Sequence, residues 1–143
     1  MNILTTENLK KIYETPSGKV YALDGVSVSV SEGEFIAVVG SSGSGKTTFL
    51  NMIGGLDRPT AGQVQIRNRP LGSLSSEELT VFRRRNIGFV FQNYNLLPYL
   101  NVWENITLPL RLDGVSADEP FIAEIIKSLG LEDKTGNMPY MLS

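Results

Sequence analysis

The run Gly40-Ser41-Ser42-Gly43-Ser44-Gly45-Lys46-Thr47-Thr48 carries the strongest chemical signal in this chain. It fits G-x-x-x-x-G-K-[ST], the phosphate-binding pattern known as Walker A. A polyphosphate carries several negative charges and needs donors from many directions. Successive backbone N–H groups in a tight loop form a concave nest for an anion. A helix start adds unpaired N–H groups and the positive end of the helix dipole. Gly40, Gly43 and Gly45 let the backbone come close to the phosphates with no Cβ between. Lys46 has the reach for the β- and γ-phosphates, and the Thr47 hydroxyl suits Mg²⁺.

Such a loop works only between two particular elements. Phe35-Ile36-Ala37-Val38-Val39 is a short apolar run, expected to be a strand buried on both faces. Thr48-Phe49-Leu50-Asn51-Met52-Ile53 reads as the first turns of a helix ended by Gly54-Gly55. A match to the pattern alone is expected by chance in about one sequence of this size in a hundred; the flanking elements lower that. A dinucleotide-binding reading fits less well, because Thr48 stands where G-x-G-x-x-G needs its third glycine.

The remaining composition narrows the classes. A chain of 143 residues suffices for one domain with a sizeable core. The formal net charge of -2 gives no reason to expect nucleic acid as a partner. No apolar run approaches the length of a membrane-spanning helix, and Met1-Asn2-Ile3-Leu4 does not open a signal peptide, so a cytoplasmic location is the expectation. With no cysteine and no histidine, these residues offer neither a thiol nucleophile nor an imidazole base.

Along the chain, residues 2–13 and 20–30 read as two extended segments joined by the turn signal Thr15-Pro16-Ser17-Gly18, an antiparallel pair set against an α/β core. Val64-Gln65-Ile66 is a further short strand. Ser75-x-x-Glu78 is a capping box for a helix to about Arg84, with Arg83-Arg84-Arg85 opposing the dipole at its end. Ile87-Gly88-Phe89-Val90-Phe91 reads as the next buried strand, with Gln92 at the sheet edge where ligands bind in open α/β folds. Asn101-x-x-Glu104 caps a helix that weakens at Pro109. Ser116-x-x-Glu119 opens another, whose Phe121, Ile122, Ile125, Ile126 and Leu129 form one apolar stripe ended by Gly130.

Taken together, the Walker A loop, Ala22-Leu23-Asp24-Gly25-Val26-Ser27, Glu32-Gly33-Glu34, Gly54-Gly55-Leu56-Asp57-Arg58-Pro59-Thr60-Ala61-Gly62 and Ile87-Gly88-Phe89-Val90-Phe91-Gln92 resemble the first half of an ABC-transporter ATPase domain. With Asn95-Leu96-Leu97-Pro98 the resemblance extends to the branch serving macrolide export, lipoprotein release and antimicrobial-peptide resistance. It implies an α/β fold: a partial P-loop NTPase core over residues 1–92 with an antiparallel β subdomain, and the start of a helical subdomain over 93–143. It implies ATP as ligand, held by Gly40, Ser41, Ser42, Gly43, Ser44, Gly45, Lys46, Thr47 and Thr48, and Mg²⁺ held by Thr47 and Gln92. Lys46 and Gln92 would serve catalysis, Gln92 by contacting the metal and the attacking water. Tyr13 would stack on adenine, with Tyr21 as the other candidate. Leu142-Ser143 would open the signature motif that a second protomer's ATP site requires. Tyr94, Leu96, Leu97, Tyr99 and Trp103 would lie in the groove receiving a transmembrane permease subunit, or else be core residues of the helical subdomain. The protein would sit on the cytoplasmic face of the cell membrane, with a permease and a second ATPase protomer as partners.

The family's Walker B aspartate, following glutamate and switch histidine are not recognisable here. Pro109 and Arg111 spoil Leu108-Pro109-Leu110-Arg111-Leu112-Asp113 as a buried strand. The expectation is that the chain is an N-terminal portion of a longer ATPase, inactive alone. Two other classes stay open: a small-molecule P-loop kinase, for which the three arginines could form a lid, and a nucleotide-binding interaction module without a transport role.

Overall fold

A computed structural model describes residues 1–142 and divides the chain into two compact units, Met1–Phe89 and Val90–Ser143. In the first unit, strands β1 (Asn2–Thr15) and β2 (Gly18–Ser31) form a long antiparallel hairpin, with Thr15 opposite Gly18 across the turn. Strand β3 (Ala61–Ile66) pairs antiparallel with the other edge of β1, and the short β4 (Arg69–Pro70) follows it. The sheet order is β2-β1-β3-β4.

The hairpin is not regular. Its register shifts between Thr6 and Leu9, where Asn8 adopts φ 45°. Thr6 is buried there, its Oγ1 donating to the Val26 carbonyl (3.2 Å) and accepting from the Val28 N–H (2.9 Å). The hydroxyl thus satisfies backbone groups that a break in the ladder would leave unpaired.

Helix α1 (Lys46–Ile53) lays Phe49 and Met52 on the sheet face formed by Leu9, Leu23 and Val64. Leu9 and Met52 are almost fully enclosed, each contributing about 1.5–3 kcal/mol by burial. Helix α2 (Ser76–Asn86) closes the same core with Leu79 and Phe82. Its capping box forms as the sequence predicts: Ser75 Oγ accepts from the Glu78 N–H (3.2 Å) and the Glu78 carboxylate from the Ser75 N–H (2.8 Å). The Ser75 backbone bond, then its hydroxyl, hold the Glu78 carboxyl below its usual range.

In the second unit, helix α3 (Val102–Leu112) also starts at a complete capping box, Asn101 with Glu104. Pro109 lies inside this helix rather than ending it. Helix α4 (Glu119–Ser128) begins later than expected. Asp118, not Ser116, is its cap and accepts from the Phe121 N–H at 3.1 Å, with Pro120 in the first turn, where its missing donor costs nothing. The expected apolar stripe splits: Ile122 and Ile126 are buried, whereas Phe121, Ile125 and Leu129 are exposed.

The largest departure concerns the predicted buried strands. Neither residues 35–39 nor residues 87–91 join a ladder. Phe35 is 96% exposed, Val39 85% and Val90 fully exposed. A parallel strand exists only through its neighbours, and no strand among the described residues forms a ladder with either segment.

Candidate functional site

The glycine-rich loop enters α1 through Gly45, the helix N-cap, at φ 86° and ψ 4°. This left-handed conformation strains any residue with a Cβ. Space demands glycine as well: a Cβ here would lie 2.3 Å from the Ala22 carbonyl oxygen of β2. The loop therefore rests directly on the hairpin, and its conformation is set by a backbone contact that no side chain could occupy. Gly43 also has positive φ (79°), but with open space around it.

No side chain caps α1 and no acidic residue stands in its first turn. The positive end of the helix is left for an external anion. Lys46 arches over the loop, its Nζ donating to the carbonyls of Gly40 (2.8 Å) and Ser41 (2.6 Å) and to Ser44 Oγ (3.3 Å). These bonds hold the ammonium against the loop. Ser41, Ser42, Gly43 and Ser44 are exposed, Thr47 is exposed and Thr48 half-buried. A cradle of backbone donors, one cation and an accessible hydroxyl fits a polyphosphate with a hard divalent cation. Among the described residues no group of three or more acidic or histidine side chains could hold a metal.

Tyr13 lies near the turn end of β1, opposite Val20 on β2. Its hydroxyl donates to Asp57 Oδ2 at 2.9 Å. Lys11 Nζ bonds Asp57 Oδ1 (2.6 Å) and the Arg58 carbonyl (2.8 Å), and lies 4.9 Å from the centre of the Tyr13 ring. Burial pushes the Asp57 carboxyl up, but the bonds from Lys11, Tyr13 and the Arg58 N–H, with the Lys11 charge, together outweigh it and hold the group below the usual aspartate range. Tyr21, the other candidate aromatic, is 64% exposed and pairs with Ile12.

Gln92 belongs to the second unit, exposed in a turn. Tyr94 and Tyr99 are strongly exposed, Leu96 and Leu97 half so, and Trp103 is intermediate, so these residues are not a common core. The loop carrying them is pinned by Asn105, whose side chain accepts from the Leu97 N–H and donates to the carbonyls of Leu97, Leu100 and Asn101. Ser143 lies outside the described residues.

Sequence reasoning missed three residues that shape the site. Asp57 and Lys11 look like ordinary surface charges, and only the fold shows that they meet Tyr13. Arg83 was expected to oppose its own helix dipole. It does lie in the last turn of α2, and its Nη1 also donates to the Gly55 carbonyl at 2.7 Å, fastening α2 to the end of α1. An arginine held in this way does not serve as a mobile lid, which removes one support of the kinase reading.

Comparison with known proteins extends the picture beyond the loop. The family described as ABC transporter matches residues 23–143. The lipoprotein-releasing system ATP-binding protein LolD of Pseudoalteromonas translucida is 38% identical over 99% of this chain, which spans 62% of that protein. The methionine import ATP-binding protein MetN 2 of Bacillus cereus is 41% identical over 99% of the chain, covering 42% of its own length. Among solved structures, the dimeric ATP-binding cassette MJ0796 bound to ADP and Pi aligns with TM-score 0.87 and 40% identity, over 98% of this chain and 63% of that one. The similarity thus runs through both units, not through the glycine loop alone, and this chain belongs to the ABC transporter family as part of its nucleotide-binding domain.

Proposed function

We propose that this chain binds Mg-ATP within a longer ATPase that drives a membrane transporter. The observation that carries this reading is the loop from Gly40 to Thr48, seated on β2 by Gly45 and spanned by Lys46. The loop N–H groups and Lys46 bind the phosphates, and Thr47 with Gln92 holds the metal. Mg²⁺ supplies charge neutralisation on the phosphate oxygens. Tyr13 takes the adenine. In the whole protein Lys46 binds the leaving and transferred phosphates, and Gln92 orients the attacking water. The signature region opened by Leu142 and Ser143 completes the site of a second protomer. The exposed loop around Tyr94 and Leu97 docks on a permease at the cytoplasmic face of the membrane; no described helix is long and apolar enough to cross it.

The cargo is a lipoprotein, drug or peptide that is exported or released. The lipoprotein-release name of one relative supports that class, while the methionine-import name of the other belongs to the opposite direction. The decisive experiment is Lys46→Ala in the full-length protein. Losing one charge stabiliser lowers turnover about a hundred-fold or more. Undiminished ATP hydrolysis by that variant would overturn the proposal.

A further inference from the structure

We propose that Asp57 and Lys11 are positioning residues for the base of the bound nucleotide, acting through the ring of Tyr13. The proposal rests on the reading above that Tyr13 meets adenine. Neither residue is among the phosphate-loop residues, and neither need touch the nucleotide.

Four observations carry it. Tyr13 is 37% exposed, so its ring could swing freely; instead its hydroxyl is tethered to Asp57 Oδ2. The Lys11 ammonium, held by Asp57 Oδ1 and the Arg58 carbonyl, lies toward one face of that ring at 4.9 Å from its centre. That face is thereby taken by a cation, and only the opposite face is left for a flat base. The distance is also suitable. Gly45 contacts the carbonyl of Ala22, and Val20, the cross-strand partner of Tyr13, is two residues along the same strand. At ~3.4 Å per residue this puts the Tyr13 backbone about 7 Å along the sheet from the residue that seats the phosphate loop, within the length of a nucleoside polyphosphate.

Asp57 also stands at the end of the turn that follows α1, its N–H bonded to the Asn51 carbonyl. The helix that receives the phosphates at its first residue therefore delivers, past its last, the carboxylate that aims the base-binding ring. A single rigid element sets the separation between phosphate site and base site.

The test uses the full-length protein with two probes: ATP, which engages both sites, and inorganic tripolyphosphate, which engages only the loop. Tyr13→Ala loses the stack and weakens ATP about tenfold or more. Tyr13→Phe keeps an equivalent stacking ring but loses the tether, and Asp57→Ala loses the same tether from the other side. Each is expected to weaken ATP about three- to tenfold while leaving tripolyphosphate affinity within about twofold, and combining the two adds no further loss. Tyr13→Phe binding ATP as the parent does, with Tyr13→Ala still impaired, overturns the positioning role and leaves adenine stacking intact. Equal losses for both probes in Asp57→Ala and Tyr13→Phe also overturn it, because they show a general disturbance of the loop. ATP affinity unaffected by Tyr13→Ala overturns the stacking itself and this proposal with it.

Discussion

Replacing Gly45 by alanine tests whether the phosphate loop really rests on the hairpin. Two costs are separable, because Gly43 supplies an internal control. Both glycines have positive φ, 86° and 79°, so alanine at either costs about 1–2 kcal/mol in backbone strain. At Gly43 nothing lies within 4 Å of the added methyl, and strain is the whole effect. At Gly45 the methyl would stand 2.3 Å from the Ala22 carbonyl oxygen, well inside the 3.0 Å that Cβ atoms respect. The flanking residues of Ala22 are paired with Ile12 and Lys11 in the ladder, so the carbonyl does not yield easily. The loop and the first turn of α1 must lift by about 0.7 Å or more, adding an overpacking cost of about 1–3 kcal/mol. Urea denaturation of the full-length protein should therefore show Gly43→Ala losing about 1–2 kcal/mol and Gly45→Ala about 2–5 kcal/mol. ATP affinity should follow the same order, with Gly45→Ala weakened about tenfold or more, since displacements near 1 Å are costly at such sites. Equal stability and equal affinity for the two variants would refute the seating of the loop on β2.

Three further outcomes are expected. Arg83→Ala leaves the Gly55 carbonyl without a charged donor in a partly buried position; a loss of about 1–2 kcal/mol in urea denaturation is expected, and no change would show that the latch is dispensable. Acid sensitivity should involve Asp57: its folded pKa is held below the ordinary aspartate value, so its contribution is present above the unfolded pKa and is lost as pH falls from there through the folded one. Stability measured across that interval should fall less steeply for Asp57→Asn than for the parent. The chain of 143 residues on its own should self-associate through its exposed apolar segment, with light scattering reduced in Phe35→Lys/Val39→Lys at unchanged circular dichroism; scattering that persists would place the sticky surface elsewhere.

What could be read from residues alone follows the range of the forces involved. The phosphate loop, the capping boxes at Ser75 and Asn101 and the first hairpin are local: each depends on residues a few positions apart or on strands joined by a tight turn. The capping boxes and the hairpin appear as the sequence implies, whereas the strand expected before the phosphate loop does not. Residues 35–39 and 87–91 have strand composition, but a strand is completed by its neighbours, and no local pattern reports whether those are in place. Pro109 misleads for a similar reason. A proline costs one helix hydrogen bond, yet α3 runs on through Pro109 to Leu112. On α4 the periodicity reveals an apolar face without revealing that only Ile122 and Ile126 find cover. The site's supporting contacts were the least legible. Lys11 and Asp57 are 46 positions apart, and Arg83 meets a carbonyl 28 positions away. Nothing short of the fold brings such pairs together.

The confinement of the main core to the first unit has a consequence for synthesis. Its buried members run from Leu9 to Phe82, and Ile87 is the last residue packed against them. A chain emerging from the ribosome can therefore close this core, and with it the cradle at Gly45, as soon as the first unit is free. Adding residues 90–143 at ~5–20 residues per second takes roughly 3–11 s, far longer than a small core needs to collapse. By then the anion site is assembled, and residues 35–39 face water as they do in the described structure. Those residues are then the exposed apolar stretch on which a nascent-chain chaperone would act.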